Sequence, residues 1–219
     1  MAKGEKQYTE FIDYIRDVGY EKLGYMSSWA WHDDPKRLAF TTSRYKFVAK
    51  MLSGSNKVLE IGCGDGFGAR IVASEVSTLV CIDFDIKFIE SAKQVASKKF
   101  NIDFFEHDIL EGVFEGDFDG AYSLDVLEHI DKKNEDIYLS NIRSSLADDG
   151  VFIVGCPSLE SQEFASKYSK LGHINCKSQD DLKQFLKKYF KNVFMFSMND
   201  EVIHTGFSKM SHYNIGVCC

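Results

Sequence analysis

A strand, a glycine-rich turn and the start of a helix fall in one run, Val58-Leu59-Glu60-Ile61-Gly62-Cys63-Gly64-Asp65-Gly66-Phe67-Gly68, and no other stretch constrains the fold as strongly. Val58 to Ile61 reads as a buried strand, and Ala69-Arg70-Ile71-Val72-Ala73 has helical composition. Glycine lets the backbone bend sharply and approach a ligand, while free N–H groups at the helix start face an anion or nucleotide. The spacing departs from two common nucleotide turns. A dinucleotide fingerprint begun at Gly62 would need a small residue at position 67, which is Phe67, and no Gly-Lys-Ser/Thr closes a P-loop. A purely structural turn is the other reading of the run.

Acidic-x-Gly-x-Gly-x-Gly after a first strand resembles the class I S-adenosylmethionine (SAM)-dependent methyltransferases. The resemblance implies an α/β, Rossmann-like, seven-stranded sheet whose last strand runs antiparallel, with SAM as cofactor held by Glu60, Gly62, Cys63 and Gly64. The strand Thr78-Leu79-Val80-Cys81-Ile82-Asp83 ends in an acid 21 residues after Gly62. In doubly wound nucleotide folds an acid about 20 residues on accepts both ribose hydroxyls, which assigns that role to Asp83 and places Phe84 beside the adenine. Capping of the next helix is the alternative for Asp83. A third strand, 101–106, leads to Asp108 and Ile109, which by the resemblance receive the adenine amino group and a ring nitrogen; a surface turn is the other reading of Asp108. The fourth strand, 118–124, ends in Leu124-Asp125-Val126-Leu127-Glu128-His129, similar to the family's fourth motif, with Leu124 and Asp125 nearest the sulfonium.

The length, 219 residues with 44% hydrophobic composition, suits a single domain: N-terminal helices or a lid over 1–52 and the SAM-binding core over 55–219. No apolar run approaches the roughly 20 residues of a membrane span. No signal-peptide core follows Met1-Ala2-Lys3-Gly4-Glu5-Lys6, so a cytoplasmic protein is expected. The six cysteines form no CxxC pair, and Cys218-Cys219 is not a prenylation box. A net charge of -7 disfavours a nucleic-acid partner. A small-molecule acceptor is expected, and the oligomeric state is not legible.

Residues 7–20 have amphipathic helical spacing, and 35–52 read as a second helix carrying Arg44. Between them lies the aromatic stretch 24–32, with both tryptophans. It is either a flap packed on the core or a lid that turns Tyr25, Trp29 and His32 toward the substrate. Arg44 is a candidate contact for SAM or an anionic acceptor. Further on, a helix is expected over 134–147, a fifth strand over 151–155 and a polar insertion over 158–177. A helix capped by Ser178 should run to about Tyr189, followed by strands over 192–198 and 214–218.

Methyl transfer needs alignment of acceptor, methyl and sulfur, and a proton acceptor when the acceptor is a hydroxyl. Candidates are His129, His173, His204 and His212. Asp125-x-x-Glu128-His129 resembles the metal site of small-RNA 2′-O-methyltransferases and of ubiquinone-pathway O-methyltransferases, which have another histidine after the fifth strand; His173 occupies a comparable place. The resemblance implies a divalent ion, Mg2+ or Mn2+, on Asp125, Glu128, His129 and His173. Asp instead of Glu at the first position shortens the reach, and a structural Glu-His pair is the alternative. The segments 43–52 and 199–207 look like a small bacterial group associated with surface-polysaccharide modification. The acceptor that follows is a sugar, sugar nucleotide or phosphoramidate-type capsule precursor, with Arg44, His173, His204 and His212 as the residues expected to meet its phosphate or hydroxyls. The competing readings are an inactive SAM-binding partner subunit, a ubiquinone-like or RNA acceptor, and a nicotinamide dehydrogenase weakened by Phe67.

Overall fold

Three helices precede the first strand in the structure, a computed structural model that describes residues 5–219: α1 (Thr9–Val18), α2 (Tyr25–Asp33) and α3 (Lys36–Met51). Residues 1–4, part of the stretch read for a signal peptide and of the 1–52 segment, lie outside the described residues. Strand and helix then alternate through β1 (Lys57–Ile61), α4 (Ala69–Ala73), β2 (Thr78–Asp83), α5 (Ile86–Val95), β3 (Ile102–Glu106) and β4 (Phe118–Leu124). The second half comprises α6 (Glu135–Ser145), β5 (Leu146–Pro157), α7 (Lys167–Gly172), α8 (Gln179–Leu186), β6 (Val193–Asn199), β7 (Val202–His204) and β8 (Tyr213–Cys218).

All strands join one sheet in the order β3-β2-β1-β4-β5-β8-β6-β7. β1 to β5 pair in parallel, and β8 inserts antiparallel between β5 and β6. The chain steps outward from β1 to β3 and returns with β4 on the other side of β1. That reversal opens a crevice at the carboxyl ends of β1 and β4, where ligands bind in such sheets. Side chains alternate across the sheet. Val58, Leu79, Cys81 and Tyr122 pack toward α3 and α4, whereas Leu59, Ile61, Val80 and Ile82 pack on the α6 and α8 side.

The expected α/β methyltransferase architecture is present, with three differences in its elements. The sheet has eight strands, because β6 turns back at Asp200 and pairs Ser197 with His204 to form the short edge strand β7. Asp200 takes φ +48°, a left-handed conformation that a short polar side chain tolerates. The helix expected over 134–147 ends at Ser145, and the chain enters β5 at Leu146, which pairs with Phe118. Gly150 makes this close passage possible, since a Cβ there would stand 3.0 Å from the Phe118 carbonyl oxygen. α8 stops at Leu186, short of Tyr189, while Ser178 caps it as expected by accepting the Asp181 N–H at 3.2 Å.

α1 buries none of its residues. No helix among the described residues is long and apolar enough to cross a membrane.

Candidate active site

Three glycines of the turn after β1 take left-handed backbone angles, φ +75° at Gly62, +54° at Gly64 and +69° at Gly66. A side chain at Gly62 would also meet Val126 beyond β4, its Cβ 2.3 Å from Cγ2. The Gly62 and Cys63 N–H groups donate to the Ile82 carbonyl at 2.8 and 3.1 Å, stitching the turn to β2. The Gly64 N–H donates to Asp83 Oδ2 at 2.9 Å, and Oδ1 of the same carboxylate accepts the Asp85 N–H at 3.0 Å. Burial pushes the Asp83 carboxyl up.

Two cavities meet over this turn. The larger, about 550 Å3, is walled by Asp83, Phe84, Asp108, Ile109 and His107 and reaches Asp125 and His129. The smaller, about 340 Å3, lies under α2 and is walled by Trp29, Arg37, Thr41, Tyr45, Cys63 and Leu124. Gly62, Gly64, Asp125 and Met26 line both. Eight of the nine residues expected at the cofactor therefore border a cavity. Asp108 turns its Oδ1 onto the Leu110 N–H at 2.8 Å, and Phe84 forms an exposed outer wall.

Glu60, expected at the cofactor, is the exception: it lines neither cavity. Strand alternation turns it into the core beneath the turn, where the Tyr45 hydroxyl donates to Oε1 at 2.7 Å and the Cys81 thiol to Oε2 at 3.2 Å. Burial pushes its carboxyl up despite those donors.

Past Leu124 the chain turns sharply at Asp125, with φ +59°, and enters a 3₁₀ turn, Leu127–His129. Glu128 is 1% exposed, and no donor among the described residues reaches either carboxylate oxygen. Burial and the neighbouring Asp125 push its carboxyl well up. The insertion after β5 folds back here, the Ile174 and Asn175 N–H groups donating to the Glu128 carbonyl at 2.8 and 3.0 Å. A buried ion pair, Lys177 to Glu135 at 2.7 Å, anchors the insertion, and Asn175 bonds both partners.

The His129 and His173 rings come to 5.2 Å. Nδ1 of His129 faces the Gly172 carbonyl at 2.9 Å and Nδ1 of His173 faces Gln162 Oε1 at 2.9 Å, which leaves both Nε2 atoms available. Burial and the neighbouring His129 push His173 down, which favours its neutral form. Ligand atoms of Glu128, His129 and His173 lie within 4.8 Å of one another.

Asp125, expected as a fourth member, stands apart from that group. Arg44 Nη1 holds both its oxygens, at 2.9 and 2.7 Å, and the guanidinium lies 3.7 Å above the Tyr213 ring. Arg44 itself lines neither cavity and meets the site through its bond to Asp125.

Of the lid candidates only Trp29 borders a cavity; Tyr25 and His32 do not. His204 is occupied within its hairpin, Nδ1 accepting the Gly206 N–H at 2.9 Å and Nε2 meeting Asn199 Oδ1 at 2.8 Å. His212 lies beside Phe40, 6.3 Å between rings, and burial with nearby Arg44 pushes it down.

The sequence reading passed over Met26, Ser27, Tyr45 and Asp65. Asp65 Oδ2 accepts both the N–H and the hydroxyl of Ser27 at 2.7 Å. The one local signal was a carboxylate set among glycines; its partner lies 38 residues upstream.

Residues 58–150 match a family model described as a methyltransferase domain. The bifunctional O-antigen chain terminator methyltransferase/kinase WbdD of Escherichia coli is 31% identical over 104 residues, 45% of this chain, and the chain spans 14% of that protein's length. The O-methyltransferase rstn1 of Aspergillus nomiae is 26% identical over 211 residues, covering 87% of this chain and 89% of that one. Among solved structures, the DhpI–SAH complex aligns with a TM-score of 0.66 at 15% identity, over 95% of this chain and 94% of that one. Residues 58–150 are thus similar to a methyltransferase domain, and the chain shares its fold with the DhpI–SAH complex.

Proposed function

We propose that this SAM-dependent methyltransferase moves the methyl group of SAM to an oxygen of a small hydroxylated acceptor. The acceptor is a sugar, sugar nucleotide or phosphoramidate-type capsule precursor, and a divalent ion, Mg2+ or Mn2+, assists at Glu128, His129 and His173. One observation carries the oxygen chemistry. A buried carboxylate with no partner among the described residues and two imidazoles with available Nε2 atoms converge, and one of the imidazoles, His129, lines the larger cavity. Buried polar groups ordinarily have partners, so an orphaned carboxylate points to a bound cation or ligand. Hydrogen bonding of each Nδ1 to an oxygen is the outer-shell pattern that orients metal-binding histidines. The likeness to WbdD and rstn1 supports the polysaccharide and O-methyl parts of the reading.

In this reading the adenosine part of SAM occupies the larger cavity, Asp83 accepting from the ribose hydroxyls, Phe84 flanking the ring and Asp108 meeting the amino group. The methionine part crosses Gly62 and Gly64 into the smaller cavity. The methyl group then stands near Leu124 and Asp125, where the cavities join. An acceptor hydroxyl approaches from the side of His129, which lines the larger cavity; with an ion held there both Nε2 atoms would be its ligands and the proton would leave to water, and without one it passes to an available Nε2. Neutral His173 is competent to take it. A divalent ion, when bound, lowers the pKa of a coordinated hydroxyl.

The test is calorimetry of SAM and SAH with and without Mn2+, followed by SAH release with sugar, nucleotide-sugar and sugar-phosphate acceptors. Mn2+ binding to wild type but not to His129→Ala, with turnover of a hydroxylated acceptor, is expected. SAM binding with no ion effect on either binding or turnover would remove the ion, and turnover confined to amine acceptors would refute the oxygen assignment.

A further inference from the structure

The lid helix α2 is not capped by its own sequence. Its N-cap residue is Gly24, and no side chain of the helix bonds its first N–H groups. Helix N-termini leave such donors exposed unless a partner is supplied. Here the partners come from the two elements that frame the cofactor crevice. Tyr25 N–H donates to Ser91 Oγ of α5 at 3.2 Å, and Ser27 N–H donates to Asp65 Oδ2 of the glycine turn at 2.7 Å. The Ser27 hydroxyl adds a second bond to the same oxygen at 2.7 Å. Asp65 is itself buried, and its Oδ1 accepts the Phe67 N–H at 3.3 Å, so its direction follows the shape of the turn. The fit at Gly24 excludes any side chain, a Cβ there falling 2.4 Å from Asp65 Cβ.

This seam fixes Met26, which lies between the two bonded positions. Its sulfur sits 3.0 Å from where a Cβ on Gly64 would be, and it borders both cavities. We propose that Asp65 and Ser27 are positioning residues: they clamp α2 to the cofactor turn, set Met26 as the partition between cofactor and acceptor spaces, and couple SAM binding to docking of the lid. A carboxylate at a helix N-terminus also meets the positive end of the helix dipole. The smaller cavity is walled by both halves of the clamp, Ser27 and Asp65. A ligand that fills it favours the docked lid, and by reciprocity the docked lid favours the ligand by the same factor. The proposal rests on the reading that SAM occupies these cavities.

Both tryptophans of the chain, Trp29 and Trp31, lie on α2, 60% and 62% exposed, so tryptophan emission reports on the lid alone. SAH is titrated into wild type, Ser27→Ala and Asp65→Asn, following emission and calorimetry, with far-ultraviolet circular dichroism melting as a record of the core. In wild type the emission change is expected to saturate with the calorimetric isotherm. In Ser27→Ala, SAH affinity is expected to fall about tenfold, the scale of one charge-assisted hydrogen bond. Its SAH-free emission should shift toward that of exposed indole while core melting stays near wild type. Asp65→Asn should show a larger shift of the same kind, and Ser27→Ala serves alone if that variant does not fold. Wild-type affinity and emission in Ser27→Ala would overturn the proposal, as would core melting that falls in step with the emission change. Failure of wild type to bind SAH would sink the cofactor reading first and the clamp with it, and needs no variant to detect.

Discussion

Removing the charge at Glu128 should stabilise the ion-free protein and cancel its stabilisation by a divalent ion. The side chain is 1% exposed with both oxygens unpartnered among the described residues. An unsatisfied buried acceptor costs about 1–3 kcal/mol, more when charged. Proton uptake, favoured by the same burial, relieves part of that cost. Glu128→Gln keeps the volume and removes the charge but leaves an amide equally without partners, so the gain without an ion comes from the charge alone and is at most on the order of 1 kcal/mol, roughly 2–4 °C in Tm for a chain of this length. The wild type gains more from the ion: at a hundred times its Kd a ligand stabilises by about 2.7 kcal/mol. A neutral amide is a poor substitute for a carboxylate in a hard-cation site, so the variant loses that gain. The assay is thermal unfolding of both proteins in EDTA and in excess MnCl2. A variant less stable than wild type in EDTA would show that Glu128 already has a favourable partner. An equal Mn2+ shift in both would place the ion elsewhere, and either result refutes the reasoning.

Gly62→Ala should abolish SAH binding, because its Cβ meets Val126 and its φ is left-handed. Adding Val126→Ala should recover the contact but not the backbone strain of about 1–2 kcal/mol, and full recovery by calorimetry would refute the strain argument. Glu60 holds its proton more tightly folded than unfolded, so its stabilising contribution is complete below pH 4.5 and is lost as pH rises through the folded value. Glu60→Gln should therefore flatten the decline of stability from acid to neutral pH in urea titrations, whereas parallel wild-type and variant curves would contradict it. Arg44→Ala should cost about 1–2 kcal/mol, mainly through the lost Tyr213 stack, because Asp125 is 39% exposed and water can take the place of the guanidinium. Arg44→Lys should recover less than half of that, and a lysine variant as stable as wild type in urea would exclude the planar contact.

What the sequence disclosed about the site follows from where the residues sit on strands. Gly62, Asp83, Asp108 and Leu124 each stand within a few residues of a strand's carboxyl end, and the apolar runs mark those ends. Glu60 lies beneath the turn and not on it, and the alternation Val58-Leu59-Glu60-Ile61 already turns it away from Leu59 and Ile61. Its partner Tyr45 is 15 residues away on α3, and no local pattern announces it. Arg44 and Asp125 are 81 residues apart, so the bond that removes Asp125 from the histidine group had no sequence signature. The three residues of β7 are too few to show a period, and without that hairpin the local engagement of His204 was invisible. The Asp65–Ser27 seam was hidden for the same reason as the Arg44 pair, since a cap supplied from another element looks like an uncapped helix start.

The end of β4 carries two carboxylates one turn apart, and the fold treats them differently. Asp125 has a cation, Arg44, on both its oxygens; Glu128, more deeply buried, has none. Burying a carboxylate without a countercharge is expensive enough that the group takes a proton or a metal ion. The two outcomes give different enzymes. With a proton, Glu128 is a neutral acid, and the His129 and His173 imidazoles remain as candidate bases on the side of the larger cavity. With an ion, the same carboxylate and the two Nε2 atoms become ligands, and the acidity of the acceptor hydroxyl is set by the ion. Asp125 is held by Arg44, so Glu128, His129 and His173 would be the residues to hold an ion, which would lower the pKa of a hydroxyl bound to it. Freeing Asp125 with Arg44→Ala should therefore tighten Mn2+ binding while weakening the fold. A variant that loses stability without gaining affinity for Mn2+ would mean that Asp125 is not within reach of the ion and that Arg44 serves only to neutralise it.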